Sequence, residues 1–327
     1  MKKALITGIA GQDGSYLAEL LLDQGYEVHG IALPVRPEEE KTRRQNISHI
    51  LDKIRLHFGS VADRAFLVRV IEDTAPDECY HLAAISHVSY AFEEEASVLL
   101  NNIQSTHALL GAIHEKAPGC RFFFAGSSEL FGAVEQAPQN EETRFRPRSM
   151  YGISKLTGHQ LVEYYRTRHN LFACTGILYN HESPRRGSRF VTRKITAGAA
   201  RIKAGLEKKL FLGNLDSLRD WGYAPDYVRA MWLMLQQEKA DDYVIATGRT
   251  HSVRDFAEEA FKCVGLDYRD FVEIDPRFYQ EAEAVPLCGD SRKSRVNLKW
   301  DTTRTFKEII REMVDQDILL LEQNVNT

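Results

Sequence analysis

Several features that would mark other protein classes are missing from the 327-residue chain. Its five cysteines, Cys79, Cys120, Cys174, Cys263 and Cys288, include no C-x-x-C pair. An odd, scattered set excludes a disulfide framework and a structural zinc site, so no metal is expected. No apolar run approaches the roughly 20 residues that span a bilayer. The opening Met1-Lys2-Lys3-Ala4-Leu5-Ile6 mimics a signal peptide, but Thr7 and Gly8 cut its apolar run short. Neither charge sign dominates: 42 Lys+Arg face 46 Asp+Glu, for a formal net charge of -4. That balance excludes a strongly basic nucleic-acid protein and an acidic disordered tail. Repeats and low-complexity tracts are lacking too. The expectation is a soluble, cytoplasmic protein with no membrane or nucleic-acid partner.

What is present is ordinary globular material, 43% hydrophobic and 27% charged. At roughly 150 residues per domain the length suggests two domains. Short apolar runs at 4–6, 27–31, 54–58, 79–82 and 121–125 alternate with helical patterns such as 66–72 and 103–116. Strands alternating with helices predict βαβ units and a parallel sheet covered on both faces. The second half mixes helical patterns (191–204, 228–237, 252–264 and 306–315) with short strands at 209–212 and 243–246. The reading is therefore α/β: a doubly wound parallel sheet over 1–177 and a smaller α+β domain over 178–327. Some segments of the second are expected to return to the first.

The first strand runs into Thr7-Gly8-Ile9-Ala10-Gly11-Gln12-Asp13-Gly14-Ser15-Tyr16. Gly8, Gly11 and Gly14 permit a tight turn, backbone approach to a pyrophosphate and close packing of helix on strand. The helix N-terminus behind them offers free N–H groups to the phosphates. This predicts a Rossmann-type dinucleotide site in which Gln12 and Asp13 also take part. Strand two ends Ile31-Ala32-Leu33-Pro34-Val35-Arg36 without the acid that would read an NAD ribose. Arg36 leans the cofactor towards NADP, with NAD as the alternative.

Tyr151 and Lys155 lie four residues apart, on one face of a helix. A neighbouring ammonium favours the tyrosinate, which suits carbonyl/alcohol redox chemistry. Upstream, Ser127-Ser128-Glu129 follows the Phe-rich strand, where sites of parallel sheets form. Ser127 can bond a sugar oxygen near Tyr151. Glu129 has two readings. A dehydratase needs such a carboxylate to move protons during elimination. Alternatively, Ser128 caps a helix with Glu129 in its first turn.

Together these motifs resemble the GDP-mannose 4,6-dehydratase family of extended short-chain dehydrogenases/reductases. The likeness extends to Asn180-His181-Glu182-Ser183-Pro184-Arg185-Arg186-Gly187, Phe190-Val191-Thr192-Arg193-Lys194 and Arg219-Asp220-Trp221-Gly222, over nearly the whole chain. It implies an internal redox cycle on a nucleotide-sugar. Tyr151 takes the C4 hydroxyl proton, Glu129 the C5 proton, and water leaves from C6. Lys155 orients the cofactor and Ser127 the C4 oxygen. The resemblance adds Leu82 and Ala83 to the cofactor site. It implies that Asn180, Lys194 and Arg219 contact the nucleoside diphosphate, with Ser86, Ser128, Val191 and Glu283 also on the substrate. Arg185 and Arg186 fall in its specific loop, which also meets a neighbouring subunit; a homodimer or homotetramer is implied. The chain departs from the family at Pro34-Val35, Gly59, Ile85, Gln280 and Val285. These departures leave open a modified GDP-hexose or GDP-heptose, or a 4-epimerase or 4-keto reductase on the same scaffold.

Overall fold

The computed structural model describes residues 1–34, 36, 39, 43–86, 92–279 and 284–325. The first part runs β1 (Lys3–Thr7), α1 (Gln12–Asp23), β2 (Glu27–Ala32), β3 (Ile54–Phe58), α2 (Arg64–Thr74), β4 (Glu78–His81), α3 (Phe92–Lys116), β5 (Arg121–Ala125), α4 (Met150–His169) and β6 (Ala173–Leu178). Then follow β7 (Asn180–Glu182), α5 (Val191–Lys203), β8 (Leu210–Leu212), β9 (Leu218–Tyr223), α6 (Ala224–Leu235), β10 (Tyr243–Ile245), β11 (Thr250–Ser252), α7 (Val253–Cys263), β12 (Val272–Ile274), α8 (Arg292–Leu298) and α9 (Phe306–Val325).

Seven parallel strands form one sheet in the order β10-β6-β5-β4-β1-β2-β3. The doubly wound parallel sheet expected from the alternating pattern is present. Period-2 geometry sends neighbouring side chains of each strand to opposite faces. Ile6 and Phe123 pack into one apolar layer with Leu17 and Leu21 of α1 and Met231 of α6. Leu5, Phe122 and Phe124 enter the other layer, with Leu67 of α2, Leu109 of α3 and Val162 of α4. Burial on both faces explains why these strands read as continuous apolar runs.

A third core joins Ile195 of α5, Trp221 of β9, Phe256 of α7 and Met313 of α9. Beside it runs a three-stranded sheet, β11-β9-β7. Two segments of the second half belong to the large sheet. β10 pairs with β6, with Val244 opposite Ile177, and α6 covers its face. All three residues of β10 are buried, which only a strand covered on both faces requires.

Two details of placement matter for the site. Strand four ends at His81, so Leu82 stands beyond it rather than in it. Strand order reverses about β1, between β2 and β4, and this opens a crevice at the carboxyl ends.

Candidate active site

A cleft of about 520 Å³ lies over the carboxyl ends of β1, β4, β5 and β6. It gathers Gly8, Gly11, Gln12, Asp13, Gly14, Leu82, Ala83, Ser86, Ser127, Ser128, Glu129, Tyr151, Lys155, Asn180, Arg185 and Arg186, all named from the sequence. These residues range from Gly8 to Arg186 along the chain, so only the fold assembles them.

The glycine turn is shaped for close backbone approach. A Cβ on Gly14 would stand 2.3 Å from the Gly8 carbonyl oxygen and 2.7 Å from the Ile9 Cα. Gly8 itself has φ of +74°. Gly11 caps α1 without a side-chain hydrogen bond, so the first-turn amides keep their donors for an anion. This cradle fits a dinucleotide pyrophosphate. Beneath it, Leu82 N and Ala83 N both donate to Thr7 Oγ1 at 3.1 Å. Thr7 in turn donates to His81 Nδ1 at 2.8 Å. Burial pushes His81 down to about 3, so its ring is neutral and serves as that acceptor.

The catalytic candidates sit on two elements locked together. Ser149 caps α4 by accepting from Gly152 N at 3.0 Å, which sets Tyr151 in the first turn and Lys155 one turn on. A Cβ on Gly152 would stand 2.7 Å from the Glu129 carbonyl oxygen. The glycine after Tyr151 thus lets α4 press against the short 3-10 turn Ser128–Leu130. That turn is capped by Ser127, whose Oγ accepts from Glu129 N at 3.2 Å, not by Ser128 as one sequence reading had it. Ser127 also hydrogen-bonds the Tyr151 side chain.

Burial pushes the Tyr151 phenol up to about 12, against the lowering effect of Ser127 and Arg186. Burial also brings the Lys155 ammonium down to about 8, with Asp13 opposing. Lys155 Nζ donates to the Ala125 carbonyl at 2.7 Å and lies 5.7 Å from the Tyr151 ring centroid. The sequence expectation of a lysine that holds Tyr151 as tyrosinate is not met here. The ammonium is spent on a carbonyl, and burial opposes the phenolate.

The basic residues divide. Arg185 and Arg186 reach the cleft, but with their charges engaged. Arg185 lies over the Tyr16 ring at 4.0 Å, donates to Ser15 Oγ at 3.0 Å and pairs with Glu19 at 2.6 Å. Arg186 lies over Phe190 at 3.6 Å and pairs with buried Glu182 at 3.1 Å. Both arginines therefore tie the 183–187 loop to its surroundings. Lys194, Val191 and Arg219 do not line this cleft. Lys194 Nζ lies 4.2 Å from the Phe278 ring centroid, and Arg219 donates to the Leu218 carbonyl at 2.7 Å. Glu283 and Gln280 lie outside the described residues.

A second hollow of about 490 Å³ adjoins the turn and shares Gly8, Gly11 and Ala83 with the cleft. It is lined by Ala32, Leu33, Gly59, Arg43 and Arg44. Arg36 does not line it; its side chain is 73% exposed and pairs with Glu39. Ile85 lines this hollow rather than the cleft.

Sequence reasoning passed over Asn46, His181 and the pair Arg43/Arg44. Asn46 lines the cleft and donates to the Ala10 carbonyl at 3.1 Å. His181 donates to Asp13 Oδ2 at 2.9 Å. The available signals were an Asn amid a surface-like stretch and a His inside a matched motif. Neither has a spacing that announces a site. Among the described residues no group of His, Cys, Asp and Glu could hold a metal, and no helix is long and apolar enough to cross a membrane.

Comparisons with known proteins identify the family. The family described as GDP-mannose 4,6 dehydratase matches residues 5–313. GDP-mannose 4,6 dehydratase 1 of Arabidopsis thaliana is 46% identical over 332 residues, covering 98% of this chain and 91% of that one. GDP-mannose 4,6 dehydratase of Homo sapiens is 43% identical over 352 residues, covering 99% and 93%. Among solved structures, dTDP-glucose 4,6-dehydratase from Bacillus anthracis, in complex with NAD, superposes with a TM-score of 0.84 at 19% identity. It covers 100% of this chain and 98% of that one, and at that identity shows the fold alone. On the family match and the full-length relatives together, the chain belongs to the GDP-mannose 4,6-dehydratase family.

Proposed function

We propose that the protein is a nucleotide-sugar 4,6-dehydratase that converts GDP-mannose to its 4-keto-6-deoxy derivative. One observation carries this reading. Glu129 stands in the same cleft as Tyr151 and Lys155, on a turn packed against their helix. A 4-epimerase or a 4-keto reductase needs the tyrosine and lysine but no eliminating carboxylate.

Tyr151 is the group for C4. Its phenolate, the minor form near neutral pH, takes the hydroxyl proton, and the resulting phenol returns that proton when C5 is reprotonated. A nicotinamide cofactor, held by the glycine turn with Leu82, Ala83 and Lys155, would supply the hydride acceptor for C4 and the hydride donor for C6. A ketone at C4 acidifies the C5 hydrogen; Glu129 removes that proton and delivers it to the C6 hydroxyl, which leaves as water. Ser127 orients both the C4 oxygen and the phenol. Lys155, anchored on Ala125, serves the cofactor ribose. One water is lost, and the cofactor ends as it began.

The cofactor is proposed to be NADP. Arg43 and Arg44 line the hollow beside the end of β2, where a 2′-phosphate would lie, and take the role first given to Arg36. Asn180, Ser86 and Ser128 are proposed to face the sugar and its diphosphate, with Lys194, Val191, Arg219 and Glu283 towards the nucleoside. The division of labour follows the sheet: residues 1–177 hold the cofactor, and most of 178–327 hold the nucleotide. A homodimer or homotetramer, implied by the family resemblance, is proposed as the assembly.

The test is mass spectrometry of a panel of GDP- and other nucleotide-sugars incubated with the protein and NADP. Loss of one water from GDP-mannose without net cofactor reduction is expected. Intact sugars in every tube, with cofactor bound, would overturn the reading.

A further inference from the structure

A third concavity, of about 920 Å³, shares no lining residue with the cleft. The three-stranded sheet stands between them. Asn180 and His181 of β7 line the cleft at one edge, and His251 of β11 lines this concavity at the other. Arg249, Arg292, Arg295, Arg304 and Lys307 surround it, against two carboxylates, Asp290 and Asp301. Both carboxylates are already matched. Arg292 bonds Asp290 at 2.6 Å, and Arg295 lies 3.2 Å from Asp301. Lys307 pairs with Glu259, outside the lining, at 3.5 Å. Arg249 and Arg304 have no carboxylate in ion-pair range among the described residues. This local excess occurs in a chain whose formal net charge is -4.

The floor is flat and aromatic. The His251 ring stacks on Phe306 with centroids 3.8 Å apart and planes 5° from parallel. Burial holds His251 below its ordinary pKa, with Arg249 adding to that effect against Asp255, so the ring is neutral at pH 7. Phe306 begins the 20-residue α9, whose positive dipole end adds to the same field.

We propose that this concavity binds a phosphate-bearing anion of nucleotide size, apart from the catalytic cleft. Planar guanidiniums without a carboxylate suit phosphate oxygens, and an anion relieves the crowding of like charges. The volume falls within the roughly 300–1,000 Å³ of small-molecule sites. The stacked floor gives a planar base a surface to lie on. Nothing in this inference depends on the dehydratase reading.

The test titrates the NADPH-loaded protein with inorganic pyrophosphate and, separately, with ATP. Calorimetry reads the affinity, and hydrogen exchange reads the location. Saturable binding with protection of 247–251 and 301–307 is expected, weakened at least tenfold in R249A/R304A. Equal affinity for the two anions means that phosphate alone is read; tighter ATP means that the base lies on the His251–Phe306 floor. Either result supports the site. The single variant R249Q, altered at an exposed side chain, keeps the test open if the double variant misfolds. Absence of binding by both anions, protection confined to the cleft, or unchanged affinity in folded R249Q and R249A/R304A would overturn it.

Discussion

His181 and Asp13 form a largely buried ion pair in the wall of the cleft, joining β7 to the glycine turn. Nε2 of His181 meets Asp13 Oδ2 at 2.9 Å, and Nδ1 meets the Tyr179 carbonyl at 2.7 Å. A carbonyl only accepts, so Nδ1 carries a proton; the carboxylate calls for the other. The ring is an imidazolium, stacked on buried Tyr227 at 4.5 Å. Gln12 strengthens the join by donating to the His181 carbonyl at 3.1 Å and accepting from Ser183 at 2.8 Å.

The pair gives a pH signature. Burial depresses His181, but Asp13 outweighs it and the pKa lies above its ordinary 6.5. Burial raises Asp13, but His181, Gln12 and Arg186 outweigh it and its pKa lies below 3.8. The histidine contribution is full below pH 6.5 and fades as pH rises through the raised value. The aspartate contribution is full above 3.8 and fades on acidification. D13N should therefore cost most between those limits, about 3 kcal/mol for a largely buried pair. Urea unfolding of D13N and the parent from pH 4 to 9 checks this. A stability difference that grows steadily above pH 7 would contradict the assignment.

Glu129→Gln should separate the two halves of the chemistry. The amide keeps the size of the side chain and removes the base that takes the C5 proton. Dehydration of GDP-mannose should fall by about 10³-fold. Transient cofactor reduction, followed at the nicotinamide absorbance in a single turnover, should survive. Equal loss of both signals would mean that Glu129 acts on substrate binding instead.

Ser127→Ala tests the pull on the Tyr151 phenol. Ser127 lowers a pKa that burial has raised to about 12, so its removal should raise that pKa further. The base form then becomes scarcer at any given pH. The rising limb of kcat against pH should move to more alkaline pH, with a fall of about 10²-fold near neutrality. An unshifted limb would reduce Ser127 to a helix cap.

How much of this was legible depends on whether a feature is local. The glycine turn, Tyr151 with Lys155 and Ser127 with Glu129 are encoded by short spacings and by their place after an apolar strand. Each of those dependencies lies within a few residues. Asn46 and His181 have no such signature, because their function comes from contacts with Ala10 and Asp13, 36 and 168 positions away. That part of the second half returns to the large sheet was expected, and 243–246 was read as a strand, but the pairing of β10 with β6 was not legible. Its partner β6 lies more than 60 residues earlier, with Tyr243 opposite Gly176. The engagement of Arg185 with Glu19 and Tyr16 was invisible too: a sequence shows the charge but not its partner.

Gly14→Ala should damage the cofactor site more than an ordinary helix substitution would. In an exposed helix the change would add stability by about 1 kcal/mol. Here the new Cβ meets Gly8 O at 2.3 Å and Ile9 Cα at 2.7 Å, both backbone atoms that cannot rotate away. Either the turn opens or α1 shifts from β1. NADPH affinity, read by fluorescence titration, should fall at least tenfold, with a lower thermal midpoint. Unaltered affinity would show that the pyrophosphate does not rest on this turn.

The choice between NADP and NAD can be assigned to individual arginines. A 2′-phosphate adds negative charge at the end of β2, where a nearby arginine can recognise it. Arg44 is held over the Phe58 ring at 4.7 Å, at the wall of the hollow, and Arg43 lines it beside Leu33. Arg36 stands outside that wall, paired with Glu39. A charged hydrogen bond contributes roughly 1.5–3 kcal/mol, so losing one lowers affinity about 10- to 100-fold. R43S/R44S should reduce NADPH affinity by that factor and leave NADH affinity nearly unchanged. R36S should leave both unchanged. If R36S alone removes the preference, the cation that reads the phosphate is the one the sequence named first.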